Sequence, residues 1–147
     1  MKIAIGSDHA GRALKDEIGK HLADAGHEIT DLGTHSDDSV DYPDYGAAVG
    51  EAVASGAAEL GVCCCGTGIG ISMAANKVRG IRAAVVHDVT TAHYARAHNN
   101  ANVVCLGGRT TGVLTALDAI DEFFATSFEG GRHERRIEKI AHLEEKL

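Results

Sequence analysis

The chain has 147 residues and a formal charge of −7, a balance that argues against nucleic acid as its main partner and leaves any anionic ligand dependent on a local basic cluster. Its length fits one domain around a single core. Hydrophobic residues make up 44% but aromatics only 4%, with 18 glycines and no tryptophan, which suits strands and helices packed through small aliphatic side chains. No apolar run approaches the length of a membrane span, and the first residues read as strand, not as a signal peptide. Four cysteines, three of them contiguous, form no ordinary disulfide framework, so a reducing, cytoplasmic location is expected.

In chain order, Ile3 to Gly6 reads as a buried strand and Ser7-Asp8-His9 as the polar turn after it. A helix follows from about Gly11 to Ala25: Leu14, Ile18 and Leu22 recur at helical spacing and Gly26 stands where a C-terminal cap belongs. Glu28 to Leu32 is a second strand. Asp37 to Tyr45, with the only proline at Pro43, reads as a polar loop leading into an alanine-rich helix that ends near Gly56. Leu60 to Cys64 is a strand buried on both faces, and Ile69 to Lys77 has the composition of a helix. Ile81 to His87 is a fourth strand, Asp88 caps a helix reaching about His98, Asn102 to Gly107 is a fifth strand, and Thr110 to Thr126 is a fifth helix. Alternation of five strands and five helices predicts an α/β three-layer αβα sandwich, a Rossmann-like, doubly wound, five-stranded parallel sheet. An extra C-terminal helix carries Ile137, Ile140, Leu143 and Leu147 near one stripe. It docks either on its own domain or on a partner subunit, so residues 127–147 form a tail to the single 1–147 domain.

Ligand sites in such sheets lie at the carboxyl ends of the strands. Ser7-Asp8-His9, Cys65 to Gly70, His87-Asp88 and Gly107-Gly108-Arg109 all fall there or in the adjacent turns. The stretch Cys65-Gly66-Thr67-Gly68-Ile69-Gly70 is the most informative. Alternate glycines let a ligand approach the main chain, and the free N–H groups of the helix start face the same spot, which favours an anion or a developing oxyanion. Cys65, just ahead of the helix, sits where a thiolate is favoured over a thiol. The same glycines also suit a plain strand-to-helix connection. Neither a dinucleotide fingerprint nor a phosphate loop is present, since the third glycine is one place early and no Gly-Lys-Ser/Thr follows. Alternation points Cys64 away from Cys63 and Cys65, and no Cys-x-x-Cys pair completes a zinc site, so Cys63 and Cys64 read as small core residues and no metal is expected. Arg132 and Arg136 lie four apart near a helix start, a spacing that suits either a phosphate or a solvated basic face paired with Glu134 and Glu138.

Taken together, Gly6-Ser7-Asp8-His9-Ala10-Gly11, Asp41-Tyr42-Pro43-Asp44-Tyr45, Cys65 to Ser72, Ala74-Ala75-Asn76-Lys77, His98-Asn99-Asn100-Ala101-Asn102 and Glu129-Gly130-Gly131-Arg132-His133 closely resemble the type B ribose-5-phosphate isomerases. That family also includes allose-6-phosphate, galactose-6-phosphate and some tetrulose-phosphate isomerases. The resemblance implies a metal-independent, cofactor-free homodimer or homotetramer whose active sites are each built from two subunits. It implies Cys65 as the base that moves a proton between C1 and C2 of the open-chain sugar phosphate, with Thr67 and the N–H groups of Gly66, Gly68, Ile69 and Gly70 holding the oxyanion. His98 would help open the furanose ring, Asp8 and Asn99 would grip sugar hydroxyls, and Tyr42 would lie near the sugar. His9, Arg109, Arg132 and Arg136 would contact the phosphate. A branch of the family has Gly at the cysteine and a Glu base six positions later; here that position is Ile71, which leaves Cys65 as the base. Two readings of another class are a flavin- or nucleotide-binding module on the same architecture and a non-catalytic subunit of a hetero-oligomeric isomerase.

Overall fold

Every residue of Leu60–Cys65 is buried, as a strand must be when helices cover both faces of its sheet. In a computed structural model that describes all 147 residues, Met1–Leu147, this segment is β3. It follows β1 (Lys2–Ser7), α1 (Arg12–Asp24), β2 (Glu28–Asp31) and α2 (Tyr42–Ala54), and precedes α3 (Ile69–Ala75), β4 (Ala83–Val85), α4 (Val89–Ala97), β5 (Val103–Gly107), α5 (Val113–Ala125) and α6 (Arg132–Glu144). The five strands form one parallel sheet in the order β2-β1-β3-β5-β4.

The strand order decides which helix lies on which face. Right-handed crossovers that step from β1 out to β2, and from β4 back to β5, place α1 and α4 on one face, whereas the steps from β2 to β3 and from β3 to β4 place α2 and α3 on the other. The packing agrees: α4 lies against α5 and α1 against α5, while α2 lies against α3. Two cores result. Ile3, Ile5, Val62, Cys64, Val104 and Leu106 meet Leu14, Ile18, Leu22, Ile120 and Phe123 on the first face. Ala4, Cys63, Cys65, Val103 and Cys105 meet Val49, Ile71 and Ala75 on the second. Burial of each large aliphatic or aromatic side chain stabilises the fold by about 1.5–3 kcal/mol relative to leaving it in water.

The helix boundaries have local causes. Apolar Leu14, Ile18 and Leu22 give α1 its buried stripe, and Gly26, at φ +96°, takes the left-handed conformation just past its C-cap Ala25. Asp88 accepts the Thr91 N–H at 2.7 Å while Thr91 Oγ1 accepts the Asp88 N–H at 3.2 Å, a reciprocal cap that starts α4.

Three expectations need correction. Tyr42–Tyr45 is not loop but the first turn of α2, because proline is well suited to the first helical positions, where its missing N–H has no partner to lose. Strand β4 covers only Ala83–Val85, not Ile81–His87, since it is an edge strand paired on one side alone. Helix α3 ends at Ala75, two residues short of Lys77.

One buried cation ties the first face to the sheet edge. Lys15 on α1 is wholly buried, and its Nζ donates to both carboxylate oxygens of Asp31 at 2.8 Å and to the Thr34 carbonyl at 3.0 Å. Lys15→Ala leaves those acceptors without their donor. We expect a loss of about 3 kcal/mol in urea unfolding, the low end of the range for breaking a buried pair, because Asp31 keeps a third of its side chain in water.

Candidate active site

The helices of the two faces diverge between β1 and β3, which opens a crevice at the carboxyl ends of these strands. Main-chain hydrogen bonds carry the sheet a little beyond its strands there. The Asp8 N–H donates to the Cys64 carbonyl at 3.3 Å, the Gly108 N–H to the Cys65 carbonyl at 2.8 Å, and the Arg109 N–H to the Gly66 carbonyl at 2.9 Å. The turns after β1, β3 and β5 are thereby locked together around one point.

Cys65 ends β3 at that point, 4% exposed. The chain turns through Gly68 at φ +79°, a conformation open to glycine at little cost, and a Cβ there would also come within 3.0 Å of the Leu106 carbonyl carbon. This turn aims the Gly68 N–H at Cys65 Sγ, 3.1 Å away, a donor placed to meet negative charge when the sulfur gives up its proton. Thr67 Oγ1 accepts the Ile69 N–H at 3.2 Å, which holds the hydroxyl at the mouth of the turn. The other thiols are out of play: burial, with the neighbouring Cys63 and Cys65, pushes the Cys64 pKa well up, and a hydrogen bond with Cys63 together with burial does the same for Cys105.

Around the thiol lies an open cavity of about 520 Å³ lined by Asp8, His9, Tyr42, Cys65, Gly66, Thr67, Ile69, Gly70 and Arg109. Asp8, nearly buried, accepts the Gly11 N–H on Oδ1 at 2.9 Å and so starts α1 while facing the cavity. His9 Nδ1 accepts the Val40 N–H at 3.2 Å, so the neutral ring carries its proton on Nε2 and offers a donor. Tyr42, in the first turn of α2, lies over Gly70, where a Cβ would come within 2.6 Å of the ring. The Arg109 guanidinium stands beside Gly66 and makes no ion pair. Met73 also lines the cavity; its position one turn after Ile69 on the helix that opens at the glycine turn is the signal that would have found it.

The remaining site candidates lie elsewhere. His98 caps the C-terminus of α4, at the amino end of β5. The five residues of β5, at about 3.3 Å each, separate it from the Cys65 end of the sheet by roughly 16 Å. Its ring stacks on His133 at 4.0 Å with an interplanar angle of 14° and packs against Tyr94 at 4.6 Å. Arg132 and Arg136 occupy the first turns of α6 beside it and pair with neither Glu134 nor Glu138. Asn99 lines a separate cleft of about 450 Å³ between the β4 edge and α6. His87-Asp88 joins neither group, since Asp88 is spent on capping α4. One chain thus carries two groups of candidate residues at opposite ends of its sheet.

His98, Glu129 and His133 hold three potential metal ligand atoms within 4.8 Å of one another. The two rings are stacked, and both Nε2 atoms face one Glu129 oxygen, at 3.6 and 3.4 Å.

A parallel α/β sheet with a thiol and an N–H donor aimed at it from a glycine turn at its carboxyl end defines a protein built for proton transfer on a small molecule. A family model described as Ribose/Galactose Isomerase matches residues 3–140, and the chain belongs to that family. It is 45% identical over 145 residues to ribose-5-phosphate isomerase B of Escherichia coli (strain K12), covering 99% of this chain and 97% of that protein. The structure of Clostridium thermocellum ribose-5-phosphate isomerase B superposes with a TM-score of 0.99 at 52% identity, covering 99% of both chains. Ribose-5-phosphate isomerase B of Mycoplasma genitalium, solved with bound ribulose-5-phosphate, superposes at 0.96 with 43% identity over 99% of this chain and 97% of that one. Family membership displaces the flavin- or nucleotide-binding alternative.

Only Cys65 among the four thiols faces a cavity. Iodoacetamide at neutral pH should therefore alkylate one site per folded chain, read by intact mass and peptide mapping. Comparable labelling of Cys63, Cys64 or Cys105 in the folded protein would contradict this geometry.

Proposed function

We propose that the protein interconverts ribose 5-phosphate and ribulose 5-phosphate, with Cys65 as the general base. The observation that carries this reading is the Cys65 sulfur at the cavity wall with the Gly68 N–H aimed at it from 3.1 Å. The thiolate takes the C2 proton of the open-chain aldose as C1=C2 forms and the C1=O1 electron pair moves to O1; the O2 hydroxyl proton then passes to O1, and the proton held by Cys65 is delivered to C1 as C2=O2 forms, which restores the thiolate. Thr67 and the N–H groups of Gly66, Gly68, Ile69 and Gly70 meet the oxyanion, where donors fixed in advance act most strongly. Thiol and main-chain donors cover both the proton transfer and the charge, so this mechanism calls on no metal or cofactor. Asp8 and Tyr42 stand where the sugar lies; His9 and Arg109 stand where the phosphate is held from one side.

The reading extends to a homodimer or homotetramer in the cytoplasm, with residues 1–147 as one isomerase domain and the 127–147 tail on a partner subunit. Helix α6 supports this. It has only marginal contact with the other helices and strands of its own chain, and is held by Glu144, which accepts the Gly80 N–H at 3.1 Å, and by the contact of His133 with His98. Leu143 is 60% exposed on it, and Met73 is 63% exposed beside the cavity. In a two-fold dimer the His98, Asn99, Arg132 and Arg136 half-site of one chain covers the Cys65 cavity of the other, and symmetry makes two identical sites. His98 then assists furanose opening, Asn99 contacts a hydroxyl and the arginines clamp the phosphate.

Cys65→Ala should lower kcat by roughly 10²- to 10⁴-fold, the usual contribution of a general base, with circular dichroism unchanged, while Cys64→Ala stays near wild type in rate. Equal loss at both positions would remove Cys65 from the role. A shared site makes a second prediction. Equal amounts of Cys65→Ala and His98→Asn protein, each inactive, should regain about a quarter of wild-type activity after random subunit exchange into dimers, and no recovery after verified exchange would refute the sharing. The substrate is checked by kcat/KM on ribose 5-phosphate against allose 6-phosphate and galactose 6-phosphate; one carbon often shifts binding by only about 1–3 kcal/mol, so weak activity on the longer sugars fits, and a tenfold preference for one of them would reassign the substrate.

A further inference from the structure

Glu129 belongs to neither the cavity nor the arginine pair, yet it occupies a constrained position. Its N–H donates to the Ala97 carbonyl at 3.0 Å, which pins the tail to the end of α4. Gly130 and Gly131 follow at φ +68° and +57°, and His133 opens α6 with its N–H donated to the Gly130 carbonyl at 3.1 Å. This tight turn places one carboxylate oxygen of Glu129 at 3.6 Å from His98 Nε2 and 3.4 Å from His133 Nε2. Burial holds the His133 pKa below the ordinary histidine value, with His98 and Arg132 adding to the effect and Glu129 opposing it, so at neutral pH its ring is a packing surface and not a cation. That ring is 8% exposed and lies flat against His98.

We propose that Glu129 is a positioning residue for His98 in furanose opening, with His133 as the surface that stops the His98 ring from turning. This rests on the ring-opening role of His98 given above. A carboxylate only accepts, so it favours the His98 tautomer that carries its proton on Nε2 and leaves the Nδ1 lone pair free. The Glu129 oxygen, 3.6 Å away and just beyond hydrogen-bond length, is the carboxylate atom that faces Nε2; no hydrogen bond engages the His98 ring, and a third of its side chain is exposed. In the step it serves, Nδ1 takes the proton from the O1 hydroxyl of the hemiacetal, C1=O forms as the C1–O4 bond breaks, and the same proton passes to O4. The step is redox neutral and leaves the histidine as it began. An amide at position 129 offers an N–H₂ to Nε2 as readily as an oxygen, so the tautomer is no longer selected.

Ribulose 5-phosphate has no ring to open, because its C5 oxygen, the one that would close on C2, carries the phosphate. Loss of C1 deuterium to solvent from C1-deuterated ribulose 5-phosphate therefore reads the Cys65 chemistry and phosphate binding alone. For Glu129→Gln we expect kcat/KM on ribose 5-phosphate to fall about 10- to 100-fold, less than the roughly 10²- to 10⁴-fold contribution of a whole acid–base group, while deuterium washout stays close to wild type. Glu129→Asp should recover part of the lost activity. Equal loss in both assays would make Glu129 a structural or phosphate-site residue, and no loss in either would make it idle; each outcome overturns the proposal. His98→Asn separates the two levels of inference. If it shows the split between assays and Glu129→Gln does not, the positioning role is wrong; if His98→Asn itself shows no split, the ring-opening role falls and takes that of Glu129 with it.

Discussion

The site depends on three main-chain hydrogen bonds that continue the sheet past its own strands. Cys64, Cys65 and Gly66 each offer a carbonyl, and the N–H groups of Asp8, Gly108 and Arg109 take them up from the two flanking turns. Inside the sheet such bonds are expected; beyond the strand ends they keep three turns from moving as separate loops. Close approach is the condition, and a Cβ on Gly108 would come within 2.6 Å of the Ala10 carbonyl oxygen. The Cys65 sulfur inherits its position from this arrangement, and so does the Gly68 N–H that faces it. A thiol on a free loop would have to be ordered at each turnover, at a cost of about 1–2 kcal/mol for each backbone residue fixed.

Rigidity at one end of the sheet has a consequence at the other. A strand of five residues separates His98, at the C-terminus of α4, from the carboxyl end of β5. The chain nevertheless places a histidine at the end of α4, a carboxylate in the turn before α6 and two unpaired arginines on α6, a helix whose contact with its own sheet is marginal. Such a layout wastes its cations in a monomer. In the proposed dimer, two-fold symmetry brings the distant half of one chain to the crevice of the other, and the chain needs no long loop to cross its own sheet.

Much of this was legible in the sequence because the period of apolar residues and the turn chemistry are local. The uninterrupted run Leu60–Cys64, which the strand extends by one residue to Cys65, the alternation that separates Cys64 from Cys63 and Cys65, the stripe Leu14-Ile18-Leu22 closed by Gly26, and the Asp88 cap all hold in the structure. What was not legible depends on partners distant in sequence. Nothing in Ile81–His87 says that β5 inserts between β3 and β4, which leaves β4 a short edge strand. Tyr42-Pro43 reads as loop from its polar neighbours, although the helix start tolerates proline. Lys15 looks like a surface residue on an amphipathic helix until Asp31 and the Thr34 carbonyl are seen to receive it. The site divides the same way: Asp8, His9, Tyr42, Cys65, Thr67 and Arg109 meet in one cavity, whereas His98, Asn99, Arg132 and Arg136 are separated from it by the length of a strand.

The charge of the chain explains why the cations sit where they do. With a net charge of −7, the average surface repels a sugar phosphate, and at physiological salt that repulsion is screened over about 8 Å. Binding therefore rests on guanidinium groups within a few ångströms of the phosphate that are not already neutralised. Arg12 is engaged by Asp37 at 2.8 Å, and Arg82 and Arg96 are half-buried and committed to the Asn100 and Ala101 carbonyls. Arg109, Arg132 and Arg136 take no carboxylate partner. In the proposed function those three guanidinium groups are the donors offered to the phosphate, one from the Cys65 cavity and two from α6 of the partner copy.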